Sequence, residues 1–259
     1  MSFARIDGTV IHYRHREGVG LPVVFLNSLG TDFRIWEGVI DRLPAELPLL
    51  LMDKPGHGLS QAAATTMEGY ARCAAGLMAL CGIERALICG VSIGGMIAQS
   101  LALSRPDLVA GLILSNTAAR LGDTQSWQDR LDTLDRIGLA GMANAVLERW
   151  FSDRFRTEHP VDLEGYRAML TRTPADGYAT ACAAIRDTDL RDRVGEIDVP
   201  TLCLAGTEDL ASPPDVVHGL ADAIPGATCR DIEGVGHLPM IEAPAAVAAA
   251  ILDHHARLS

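Results

Sequence analysis

Five short runs of apolar residues recur along this chain: PVVFLN (22–27), PLLLMD (48–53), ALICGV (86–91), GLILSN (111–116) and TLCLAG (201–206). A strand with one face in water alternates apolar and polar residues. A continuous run marks a strand covered on both faces, which is the condition of a parallel sheet. A sixth segment, ATCRDIEG (227–234), also reads as a strand. The stretches MEGYARCAAGLMALCGI (67–83), SIGGMIAQSLALSRPD (92–107), PPDVVHGLADAI (213–224) and APAAVAAAILDHHARL (243–258) carry apolar residues at helical spacing. Strands alternating with helices imply right-handed crossovers and an α/β fold with a mostly parallel, doubly wound sheet. Ahead of these, SFARI and TVIHYRH flank Asp7-Gly8, the signature of an antiparallel hairpin closed by a tight turn.

One region breaks the rhythm. Between about Leu121 and Val194 no strand-like run occurs, and TQSWQDRLDTLDRIG, GMANAVLERWF, LEGYRAMLTRT and GYATACAAIRD read as helices. So long a segment is no ordinary loop. The expected organisation is a core formed by residues 1–120 and 195–259, with residues 121–194 inserted as a helical cap. Ligands of open α/β sheets bind outside the carboxyl ends of the strands, so a cap there would act as a lid.

The formal net charge of −11 excludes long polyanions such as nucleic acids as partners, because they require a basic footprint. It also means that an anionic substrate must be held by local cations against the overall field. Of the 22 basic residues only Lys54 is a lysine. The six cysteines show no C-x-x-C spacing and mostly sit within apolar runs, so they read as buried, reduced thiols, with no metal or cofactor implied. The first residues carry charge and lack the apolar stretch of a secretion signal. No apolar run reaches the roughly 18 residues of a membrane span. The expectation is a cytoplasmic protein with no membrane partner.

The stretch CGVSIGG (89–95) places Ser92 between a buried strand and a helix. Strand, sharp turn and helix are the setting of a nucleophile elbow, G-x-S-x-G, in which a serine stands on a strained turn at a helix N-terminus. Gly90, Gly94 and Gly95 keep that turn free of side chains. A phosphate-binding loop is excluded, for the lysine of G-x-x-x-x-G-K-[ST] and the G-x-G-x-x-G spacing are both absent. A serine needs a base, and at an elbow of this kind the acid and then the histidine follow it in chain order. Asp209, in AGTEDLASPP after the strand TLCLAG, is the candidate acid, chosen over Glu208. Four histidines follow it. His218 lies mid-helix, and His254 and His255 read as a solvated helix terminus. His237, in the loop GVGHLPMIEAP after the last strand, is the candidate base. The backbone amides of Leu29 and Ile93 are the candidate oxyanion donors. His57, in the turn MDKPGHGLS, reads as structural.

On GVSIGG, DKPGHGLS, AGTEDLASPP and GVGHLPMIEAP the chain resembles the α/β-hydrolase superfamily from end to end. Within it, FLNSLGTDFRIWEGVIDRL, DKPGHGLS and LILSNTAARLGDTQSWQDR are most similar to the 3-oxoadipate enol-lactonases. Asn27-Ser28 stands where most of the superfamily has His-Gly, and Pro55 departs from the arginine common in D-x-R-G-x-G. The resemblance implies hydrolysis, through an acyl-enzyme and without a cofactor, of a small lactone that carries a carboxylate. Arg34, Arg120 and Arg130 are then candidate cations for that carboxylate, with Trp127 as a wall. Another hydrolase of the same fold (a carboxylesterase, a C–C hydrolase or a perhydrolase) and a hydrolase-fold receptor are the alternatives.

Overall fold

The computed structural model describes residues 2–258. In chain order the elements are β1 Ser2–Ile6, β2 Thr9–Arg16, β3 Val23–Leu26, α1 Glu37–Ile40, β4 Leu49–Met52, α2 Met67–Leu80, β5 Ala86–Val91, α3 Ile93–Ser104 and β6 Val109–Ser115. Four helices follow: α4 Thr124–Trp150, α5 Asp153–Glu158, α6 Pro160–Thr171 and α7 Ala175–Arg186. The chain then returns to the sheet as β7 Thr201–Gly206, α8 Pro214–Ala223, β8 Thr228–Ile232, α9 Pro239–Glu242 and α10 Pro244–His255.

The strands form one sheet of eight in the order β1-β2-β4-β3-β5-β6-β7-β8. Pairing is parallel from β4 to β8, and antiparallel where β1 meets β2 and β2 meets β4. Every residue of β3, β4, β5, β6 and β7 is buried, as their uninterrupted apolar runs require. Each leucine of β4 contributes on the order of 2 kcal/mol by that burial. The edge strand β8 is only partly covered and is the least apolar of the parallel set. The hairpin turn forms at Asp7 (φ +46°) and Gly8 (φ +85°), both in the left-handed region that a primed turn demands.

Helix α1 packs on α10, α2 on α3, and α8 on β7 and β8. Strand β3 is flanked by β4 on one side and β5 on the other, so the winding reverses between β3 and β5. That reversal opens a crevice beyond the carboxyl ends of both strands. The loop after β3 and the turn after β5 therefore face each other across it.

The excursion between β6 and β7 carries the four helices α4 to α7 and no strand, as its sequence pattern suggested. Helix α4 bends at Gly138, whose φ of +65° interrupts the helical backbone. Short elements such as α1, α5 and α9 were not foreseen, being too brief to show a period. All six cysteines are free, four of them buried. One expectation is corrected at the C-terminal helix. His254 is buried and its Nε2 lies 3.1 Å from the Pro200 carbonyl oxygen, while His255 Nε2 lies 2.8 Å from that of Leu21. Neither is a solvated end, because each ring reaches a backbone carbonyl just ahead of a strand, Pro200 before β7 and Leu21 before β3.

Candidate active site

Ser92 occupies φ +58°, ψ −124°, a conformation that few non-glycine residues adopt and that costs on the order of 1–3 kcal/mol. The surroundings hold it there. Its amide donates to the Ser115 carbonyl at 3.0 Å, and its carbonyl accepts from the Thr117 hydroxyl at 2.7 Å. The flanking glycines are required by space. A Cβ on Gly90 would lie 2.3 Å from the Gly94 carbonyl oxygen, one on Gly94 2.2 Å from that of Leu26, and one on Gly95 2.5 Å from Thr117 Cγ2. The turn delivers Ser92 to the N-terminus of α3, where amides are unpaired and the helix dipole favours negative charge.

Asp209 follows β7 and is almost wholly buried. Its Oδ1 accepts the amides of Ala211 (2.6 Å) and Ser212 (3.1 Å). Its Oδ2 accepts from Asn116 Nδ2 (2.8 Å) and Ser212 Oγ (2.7 Å), and lies 2.8 Å from His237 Nδ1. Burial pushes the carboxyl up, but the charge of His237 and the hydrogen bonds from His237, Asn116 and Ser212 outweigh it and hold Asp209 below the usual carboxylate range. An ionised Asp209 can only accept, so the hydrogen of that bond sits on His237 Nδ1, which leaves Nε2 as the ring nitrogen for proton transfer. Asn116 and Ser212 were not singled out in the sequence. Asn116 ends the run GLILSN and sits at φ +48°, which asparagine tolerates better than most residues, and that combination was the available signal.

Ser92 and His237 line one cleft of about 720 Å³. No hydrogen bond joins their side chains among the described residues, a looseness common in sites that tighten around substrate. Leu29 lines the same cleft, and Ile93 is fully buried beside it. Neither amide has an acceptor among the described residues. Unsatisfied buried N–H groups are rare enough to mark a place where a ligand oxygen belongs.

The helical insertion supplies the other walls. Trp127, Arg130, Arg149 and Trp150 all line the cleft. Trp127 donates its indole N–H to the Leu121 carbonyl at 2.6 Å, which fixes the ring. Arg130 lies between aromatic faces, its guanidinium carbon 5.6 Å from the ring centroids of both Trp127 and Tyr178, and its Nε donates to the Tyr178 hydroxyl at 3.0 Å. Arg149, absent from the sequence-based candidates, makes no hydrogen bond or ion pair with any described residue. Burial and the neighbouring Arg130 lower its pKa, against the opposing pull of Asp209 and Tyr178. The insertion is also tied to the histidine loop. The His237 amide donates to the Trp150 carbonyl at 2.9 Å, and Glu242 accepts from the Gly236 amide (2.9 Å), the Ser152 amide (3.1 Å) and the Ser152 hydroxyl.

Two of the four substrate-binding candidates lie elsewhere. Arg34 is turned away by Asp32, which accepts from its backbone N, Nε and Nη2, and it lines a second, larger cleft of about 980 Å³ beside His12 and Asp53. Arg120 pairs with Asp189 at 3.2 Å and bonds Thr124, so its charge is directed to the surface although Leu121 and Gly122 next to it reach the cleft. His57 is fully buried with its Nε2 unpaired, consistent with a place inside the turn. Burial, with Lys54 nearby, keeps its ring neutral.

Comparisons with known proteins bear on this arrangement. Residues 22–244 match the family model described as alpha/beta hydrolase fold. The chain is 32% identical to 3-oxoadipate enol-lactonase 1 of Acinetobacter baylyi, over 72% of this chain and 71% of that protein. It is 31% identical to 3-oxoadipate enol-lactonase 2 of the same organism, over 86% of this chain and 84% of that one. The crystal structure of the enol-lactonase from Burkholderia xenovorans LB400 superposes with a TM-score of 0.94 at 35% identity, covering 98% of this chain and 99% of that one.

Proposed function

The chain belongs to the α/β-hydrolase fold family, and on that premise we propose that it is a serine hydrolase that opens the lactone ring of 3-oxoadipate enol-lactone. Ser92 is the nucleophile, His237 the general base and Asp209 the acid that orients it. Helices α4 to α7 form a cap over the cleft. The observation that carries the choice of an anionic substrate is the charge of the cleft lining. In a protein of net charge −11, the cleft has two arginines, Arg130 and Arg149, and no carboxylate in its wall. Similarity to enol-lactonases supports the lactone in particular.

His237 Nε2 takes the Ser92 hydroxyl proton as Oγ bonds to the lactone carbonyl carbon. The resulting oxyanion accepts the Leu29 and Ile93 amides, each worth about 3 kcal/mol to the transition state. Collapse breaks the bond from the carbonyl carbon to the ring oxygen. The ring oxygen leaves as an enol, protonated from His237, and tautomerises to a ketone, which makes it a better leaving group than a simple alkoxide. Water, deprotonated by the same histidine, then attacks the acyl-enzyme and releases 3-oxoadipate. Asp209 stabilises the imidazolium formed in each half.

The test is to supply enol-lactone, generated in situ from muconolactone, and to follow the loss of ultraviolet absorbance. Rapid turnover supports the proposal. Rapid turnover of p-nitrophenyl acetate with none of the enol-lactone would instead make the protein a carboxylesterase of the same fold.

A further inference from the structure

The only lysine of the chain is buried. Lys54 follows β4, is 3% exposed, and forms no ion pair among the described residues. Its Nζ donates to the Ser28 carbonyl at 2.5 Å and reaches the Thr31 carbonyl at 3.5 Å, both in the loop after β3. Placing an ammonium group there costs stability, because a buried cation gives up its hydration. A methionine of similar length would fill the space without that cost.

Ser28 and Leu29 share one peptide group. The carbonyl that Lys54 holds and the amide of Leu29, a residue that lines the cleft, are the two ends of the same rigid plane. The bond is trans, for no cis peptide occurs among the described residues. In a trans peptide the C=O and N–H point in opposite directions. Anchoring the oxygen therefore aims the Leu29 N–H the opposite way, and Leu29 lines the same cleft as Ser92. Donation to the carbonyl also polarises the amide and strengthens its N–H as a donor.

We infer that Lys54 is a positioning residue for the oxyanion site, holding and polarising the 28–29 peptide from beneath so that the Leu29 amide is set before substrate arrives. This rests on the reading of Ser92 as nucleophile and Leu29 as oxyanion donor. The groups facing Nζ are consistent with such a tuned cation. Burial lowers Lys54 to about 7, with Asp53 and Asp32 opposing the shift and neutral His57 alongside. Asp53 is itself committed to His12 (2.7 Å) and to the amides of Phe33 and Leu59 (3.0 Å each), and Asp32 to Arg34.

Lys54→Met removes the donor and keeps the bulk. It is expected to lower kcat about ten- to a hundredfold, part of the effect of deleting an oxyanion donor, with KM within about twofold. Undiminished kcat in a folded Lys54→Met protein would overturn the inference. If that variant does not fold, the wild-type protein decides, since a single lysine gives a single side-chain ammonium signal in ¹⁵N-lysine-labelled protein. Phosphorylating Ser92 with paraoxon, the adduct being verified by mass, seats an oxygen against the Leu29 amide. The Lys54 signal should then shift and its titration move upward, whereas an unmoved signal sinks the proposal. Ser92→Ala separates the two readings. If it retains activity, the nucleophile assignment fails. If it is inactive while Lys54→Met is fully active, only the role of Lys54 falls.

Discussion

Asn116 Nδ2 donates at 2.8 Å to the same Asp209 oxygen that lies 2.8 Å from His237 Nδ1. One residue at the end of β6 thus shares the acceptor that orients the histidine after β8. Replacing Asn116 by glycine removes the donor and accommodates the φ of +48°. The expected result is a fall in kcat of about tenfold and a loss of about 1.5–3 kcal/mol of stability at neutral pH, the worth of a hydrogen bond to a charged group. The pH dependence carries a sign. Asp209 is depressed in the folded state. Its contribution is therefore present above the unfolded carboxyl value of about 3.9 and is lost as pH falls through the lower folded value. Urea denaturation should show the variant and wild type differing at neutral pH and converging in strong acid.

Ser92 sits at φ +58°, a strained conformation that its proposed role as nucleophile would explain. Ser92→Ala should lose activity on the order of 10⁴-fold or more while keeping its fold. Ser92→Gly should be equally inactive and more stable, by about 1 kcal/mol, because glycine adopts positive φ without strain. Calorimetry of the two variants against wild type would reveal the difference. A glycine variant less stable than the alanine variant would count against strain at the elbow.

Gly94 has no room for a methyl group, since the atom would meet the Leu26 carbonyl at 2.2 Å. Gly94→Ala should cost about 3 kcal/mol, because the obstacle is backbone that cannot rotate away. Chemical denaturation provides the number, and a change under about 1 kcal/mol would show that β3 and α3 can separate freely.

Arg149 lines the cleft, is exposed and has no pairing partner, so its removal should leave the fold intact. For the carboxylate-bearing lactone, Arg149→Ala is expected to raise KM about tenfold or more, the worth of a charge-assisted contact, with kcat little changed. For uncharged p-nitrophenyl acetate it should change neither constant. Equal effects on both substrates would show that Arg149 shapes the cleft and does not hold charge. Arg34→Ala, on the other cleft, should be silent with either substrate.

The sheet was legible from local pattern alone. A strand buried on both faces must be apolar throughout, so the runs at β3, β4, β5, β6 and β7 were visible without any contact being known. Ser92, Asp209 and His237 could be proposed from the sequence in their order along the chain, because an elbow needs glycine at fixed places and the other two fall in loops at strand ends. Which arginines line the cleft was beyond it. Arg34 and Arg149 are equally polar and equally lacking in pattern. Only the folding of distant segments turns one towards Asp32 and brings the other, on the far half of the bent helix α4, into the cleft that Ser92 lines. Asn116 and Lys54 were hidden for the same reason: each bonds a group far along the chain, and hydrogen bonds of that kind leave no periodic trace. Local pattern records what the backbone must do nearby, whereas the direction of a side chain in the site is set by packing between elements that the sequence keeps apart.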